Sequence, residues 1–108
     1  MATLTKQVNK MAATAANAVH PGEVLREEFM IPLGLTSTEL AAHLHTSVPR
    51  VNDIVRERRA ITADTAMRLA RYFGTSAMLW MGLQAEYDLD VAAAAARDIR
   101  KIRPRVVA

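Results

Sequence analysis

The sequence predicts an all-α fold of five helices, and three observations carry that reading. Apolar residues recur at three- and four-residue spacing in successive short stretches, and no stretch alternates with the period of two that a strand requires. Each stretch is bounded by residues that cap or break helices. The composition is rich in alanine, with 51% hydrophobic but only 5% aromatic residues, which suits a compact helical domain. At 108 residues the chain is expected to build one modest core that a partner subunit would usefully enlarge.

Residues 1–19 are rich in Ala, Thr and Asn and are expected to form a flexible arm. His20-Pro21-Gly22-Glu23 opens helix 1, because a proline in the first turn loses no helical hydrogen bond and Glu23 favours the positive end of the helix dipole. Val24, Leu25 and Phe29 give it a core face, and Ile31-Pro32-Leu33-Gly34 is expected to end it. Helix 2 starts at Thr36, where Thr36 and Glu39 have the spacing of a capping box and Leu35 and Leu40 that of a hydrophobic staple. The turn covers about His45 to Ser47, with Ser47 as the cap of helix 3 and Pro49 in its first turn. Helix 3 runs to about Arg56, and the charged loop Glu57-Arg58-Arg59 follows. Thr62 caps helix 4, whose apolar face is Ala66, Met67, Leu69, Ala70 and Phe73, and Gly74 stops it. Helix 5 begins near Thr75 or Ser76, carries Met78, Leu79, Trp80, Leu83 and Tyr87, and is free to continue into the alanines before Pro104. The expected organisation is an arm over 1–19, one folded domain over 20–91, and an alanine-rich then basic tail over 92–108.

Two short amphipathic helices around a tight turn, over residues 35–54, are the layout of a helix-turn-helix that reads DNA. Ala41 supplies the small side chain that two steeply crossing helices need. In such a motif the second helix enters the major groove by its N-terminal turns. Val48 and Pro49 then suit thymine methyls, Asn52 a base or phosphate, and Asp53 a cytosine amino group. Ser47, Arg50, Arg56, Arg58 and Arg59 suit the phosphate backbone. The net charge of +3 permits nucleic-acid binding, and the clustering of arginines around helix 3 favours it over a merely solvated basic face. Helices 4 and 5 carry more apolar surface than three short helices cover. Met78, Leu79, Leu83 and Tyr87 are therefore expected to form a homodimer interface.

No positive signal points to an enzyme. There is no cysteine, the three histidines lack a metal-binding spacing, and neither a nucleophile–base pattern nor a phosphate-binding glycine loop occurs. No metal or cofactor is expected. No apolar run is long enough to span a bilayer and no signal peptide is apparent, so the expected location is the cytoplasm.

Several blocks carry a resemblance: His20-Pro-Gly-Glu-Val-Leu-Arg-Glu-Glu-Phe29, Pro32-Leu-Gly-Leu35, Arg58-Arg-Ala-Ile-Thr62, Ala66-Met-Arg-Leu-Ala-Arg-Tyr-Phe-Gly-Thr75 and Trp80-Met-Gly-Leu-Gln84. In this order they resemble the HigA-type antitoxins of the Xre, or Cro/C1-like, helix-turn-helix group, over roughly residues 20–89. The resemblance implies a five-helix, lambda-repressor-like domain that dimerises, binds double-stranded operator DNA, represses its own operon and neutralises a HigB-type, RelE-like ribonuclease toxin. The rival reading is a stand-alone or phage-like repressor with no toxin. A toxin that acts on RNA is expected to be basic, which makes the acidic residues Glu23, Glu27 and Glu28 either its contact or a solvated face. The family turn has Gly where this chain has His45, and a side chain in the left-handed conformation there costs on the order of 1 kcal/mol.

Overall fold

The structure, a computed structural model, describes residues 18–106. Five helices follow in order: α1 over 21–33, α2 Ser37–Leu44, α3 Val48–Val55, α4 Ala63–Phe73 and α5 Ala77–Ala95, with a short 3-10 turn Arg97–Lys101 after them. The caps fall where the sequence places them. Thr36 Oγ1 accepts from the Glu39 N–H while Glu39 accepts from the Thr36 N–H, a complete capping box. Ser47, Thr62 and Ser76 each accept from the N–H three residues on. Gly34 and Gly74 take the left-handed conformation that closes α1 and α4.

Helix α1 ends within the expected segment, with Pro32 and Leu33 in its last turn and Gly34 as its cap. Its middle, Leu25–Met30, is a π-helical stretch between the α-turns Pro21–Val24 and Ile31–Leu33. The wider turn relieves the clash that Pro32 would otherwise make with the carbonyl four residues back. The expected arm lies outside the described residues except for Ala18 and Val19, and Val19 packs against the core.

Trp80, fully buried, is the centre of that core. Phe29 meets it at 5.0 Å between ring centroids and Phe73 at 6.4 Å, and its indole N–H donates to Thr75 Oγ1 at 2.9 Å. Leu25, Leu40, Ile54, Ala66, Leu69 and Leu83 close around these rings. Ala41, 1% exposed, lies where α2 packs on α3. Met67 departs from the expected face: it is 65% exposed, because Ala66 and Leu69 already fill the inner side of α4. Helix α5 continues to Ala95, past the expected domain edge at 91, but leaves the core after Gln84, so that Leu89 and Val91 are exposed. Among the described residues no helix is long and apolar enough to cross a membrane.

Candidate nucleic-acid interface

The turn between α2 and α3 depends on His45, which sits at φ 55°, ψ 46°. From this left-handed position it closes α2, and Arg68 of α4 steadies the turn by donating to the carbonyls of Leu44 and His45. Asp64 accepts from Arg68 at 2.9 Å, and this hydrogen bond holds its carboxyl below the usual carboxylate range. Helix α3 then presents one face to the core through Val51, Ile54 and Val55 and leaves Ser47, Val48 and Pro49 exposed at its start. Asn52 and Asp53 are half-buried on the same element.

The nine residues expected to meet DNA lie on α3, its cap or the loop that follows, and the structure sorts their charges. Arg50 reaches Asp64 at 3.3 Å, and Arg59 reaches Asp53 at 3.3 Å. Both pairs are exposed, and such pairs are worth about 0–1 kcal/mol, so phosphate oxygens can replace the carboxylates at small cost. Among the described residues Arg56 and Arg58 form no ion pair and are exposed. Ser47 Oγ is committed as acceptor to the Arg50 N–H, yet its O–H remains free to donate.

Three side chains outside the sequence-based set fix this surface. Gln84 of α5 is buried, and its Oε1 accepts from the Ile61 N–H at 2.8 Å, tying down the loop that carries Arg58 and Arg59. Arg26 of α1 donates to the Val55 carbonyl at the end of α3 and pairs with Glu27 at 3.0 Å and with Glu57 at 3.4 Å. His20 caps α1 through Nδ1 and is buried. Of these three, only His20 had a local signal: a proline at the first helical position marks the residue before it as the cap. Gln84 and Arg26 act across 23 and 29 residues of sequence, and no local pattern encodes such contacts.

The expected dimer residues divide. Leu83 is 7% exposed and belongs to the core of its own chain. Tyr87 packs edge-on against His20 at 4.8 Å, and Leu79 is partly buried against the core. Only Met78, 74% exposed, faces fully away. The reason is the 100° step of the helix, which puts Trp80, Leu83 and Tyr87 on one side and Met78 on the other. The acidic residues Glu23, Glu27 and Glu28 all lie on α1, with Glu27 exposed and the other two half-buried.

A small-residue crossing of two short helices around a tight turn, with the second exposed at its N-terminal turns, defines the class of helix-turn-helix domains. Residues 25–80 match the helix-turn-helix family. The chain belongs to this family, in its Xre-type division, and within it is similar to the HigA-type antitoxins. Virulence-associated protein I of Dichelobacter nodosus is 53% identical over 87 residues, covering 81% of each chain. The antitoxin HigA of Pseudomonas aeruginosa, solved with the higBA promoter, is 49% identical with a TM-score of 0.80, covering 83% of this chain and all of that one. The antitoxin GraA, solved in complex with its operator, is 40% identical with a TM-score of 0.78, covering 85% of this chain and 94% of that one.

Proposed function

We propose that this protein is a dimeric antitoxin that binds operator DNA, represses its own operon and neutralises a HigB-type toxin. The observation that carries the DNA reading is the exposed start of α3, with the exposed Arg56 and Arg58 following its other end, in a chain similar along most of its length to antitoxins solved on promoter or operator DNA. Arg50, Arg56, Arg58, Arg59 and Ser47 grip phosphates, while Val48, Pro49, Asn52 and Asp53 meet base edges. A gel shift with the promoter of its own gene against random DNA, at stated salt, tests this. Equal affinity for the two would overturn it.

The dimer uses the outer face of α5. Met78, Gly82, Ala85, Leu89 and Ala92 follow one another at alternating spacings of four and three, a coiled-coil seam opposite the face that holds Trp80 and Leu83. Met78 and Leu89 are the large exposed members, and a Cβ on Gly82 would meet nothing within 4 Å. The small residues let a second helix approach closely. This supports the α5 interface with Met78 retained and Leu83 withdrawn from it.

Glu23, Glu27 and Glu28 of α1 form the contact for a basic toxin. Glu23 lies in the first turn of α1, the turn that packs on α3, and Glu27 and Glu28 follow in its middle stretch. Copurification with the product of the neighbouring gene tests the toxin. Its failure, with operator binding intact, would favour the stand-alone repressor.

A further inference from the structure

The start of α1 is held by a histidine that works only when neutral. His20 is 3% exposed, and its Nδ1 accepts from the Gly22 N–H at 2.8 Å, so in the neutral ring the proton resides on Nε2. Its carbonyl accepts from the Glu23 N–H at 2.9 Å, completing the first turn. The turn cannot shift freely. A Cβ built on Gly22 would stand 1.8 Å from the Ile54 carbonyl oxygen, so the backbone of α1 rests directly on the last turn of α3. Arg26, one turn on, donates to the carbonyl of the next residue, Val55. The end of the recognition helix is thus seated on the first turn of α1, and His20 is the cap of that turn.

We propose that His20 is a positioning residue for the recognition helix, its neutral Nδ1 cap seating α3 for operator binding and its protonation unseating it. The inference rests on the DNA-reading function above. Protonation puts an N–H on Nδ1, opposite the Gly22 N–H, and two donors facing each other across a buried contact repel. The ring then turns or leaves, and the first turn of α1 loses its cap. The groups around the ring are Tyr87, packed edge-on at 4.8 Å, Asp88 on the same helix α5, and Glu57 in the turn after α3. Burial lowers the His20 pKa from the ordinary 6.5, against the opposing pull of Glu57 and Asp88. The cap is therefore intact at neutral pH and lost on acidification.

The test compares operator affinity from pH 7.5 to 5.5 for the wild type, His20→Asn and His20→Ala, each checked for fold by circular dichroism. Asparagine caps a helix as well as any residue and does not titrate. His20→Ala is expected to lose affinity at neutral pH by up to about fivefold, the limit reached if the whole worth of the cap goes into seating α3. Wild-type affinity should fall toward that of His20→Ala as the pH drops, whereas the ratio of wild type to His20→Asn isolates His20 from His43 and His45, which both proteins retain. In parallel, the amide resonances of Ile54 and Val55 should move with the His20 titration in the wild type alone. A constant ratio of wild type to His20→Asn, or Ile54 and Val55 amides that do not follow the ring, overturns the proposal. Failure of all three proteins to prefer promoter over random DNA at neutral pH would instead overturn the DNA reading, and the amide titration would still decide whether His20 seats α3.

Discussion

Single residues decide two tight places, the turn between α2 and α3 and the approach of α1 to α3. His45 occupies φ 55° without being glycine, and its side chain makes none of the contacts that hold the turn, which come from backbone carbonyls. His45→Gly should raise stability by about 0.5–1 kcal/mol, read from chemical denaturation, since relief of the left-handed strain outweighs the entropy that glycine gains in the unfolded chain. Gly22→Ala should do the opposite, costing about 2–3 kcal/mol through a methyl driven onto the Ile54 carbonyl. On the DNA face, Asp53→Asn releases Arg59 from its 3.3 Å ion pair and should raise affinity for random DNA while narrowing the preference for the operator. Asn52→Ala should change the ranking of operator variants by about 1–3 kcal/mol for a lost base contact, with little change on random sequence. Parallel gel shifts on operator and random DNA separate these two outcomes, and a uniform loss for both variants would remove them from base reading.

At the scale of the element, α5 has two apolar faces with different fates. The inner one carries Trp80 and Leu83, and Leu83→Ala should cost about 2–5 kcal/mol in the stability of the chain itself. The outer one carries Met78 and Leu89, so Met78→Glu combined with Leu89→Glu should yield a folded monomer by sedimentation, with weakened operator binding. A folded double variant that remains dimeric would move the interface off this seam. Helix 5 reads in sequence as one broad apolar surface because both faces are populated, and local composition does not say which face its own chain covers. The capping residues Thr36, Ser47 and Thr62 are legible by contrast, since each bonds a backbone N–H only three residues away, and the structure decides for Ser76 over Thr75 at α5.

For the whole molecule, charge and proton binding set the response to solution conditions. Arg56→Ala and Arg58→Ala should each lower the slope of log affinity against log salt by about one, the signature of a lost phosphate contact. His20 gives stability a pH dependence of definite sign. Its pKa is lower folded than unfolded, so the unfolded chain binds more protons and stability rises with pH across the window from the lowered folded value to about 6.5. Thermal melts should therefore show the wild type losing stability as the pH falls through that window, with His20→Asn flatter. Reversing Glu23, Glu27 and Glu28 together to Lys should slow toxin association and steepen its salt dependence while sparing operator binding. Unchanged association in a folded triple variant would place the toxin elsewhere.

The sequence by itself determined the helices, the crossing at Ala41 and which candidates lie on α3, its caps or the loop after it, because these follow from spacing within one or two turns. It did not determine which side of α5 faces inward, that Arg50 and Arg59 pair with Asp64 and Asp53, or that His20, Arg26 and Gln84 hold α3 and its loop. Those depend on how one element comes to lie against another, which spacing within a helix does not encode. Periodicity records only that a face is apolar or a residue charged, and the packing of one helix on another decides what that face or charge meets.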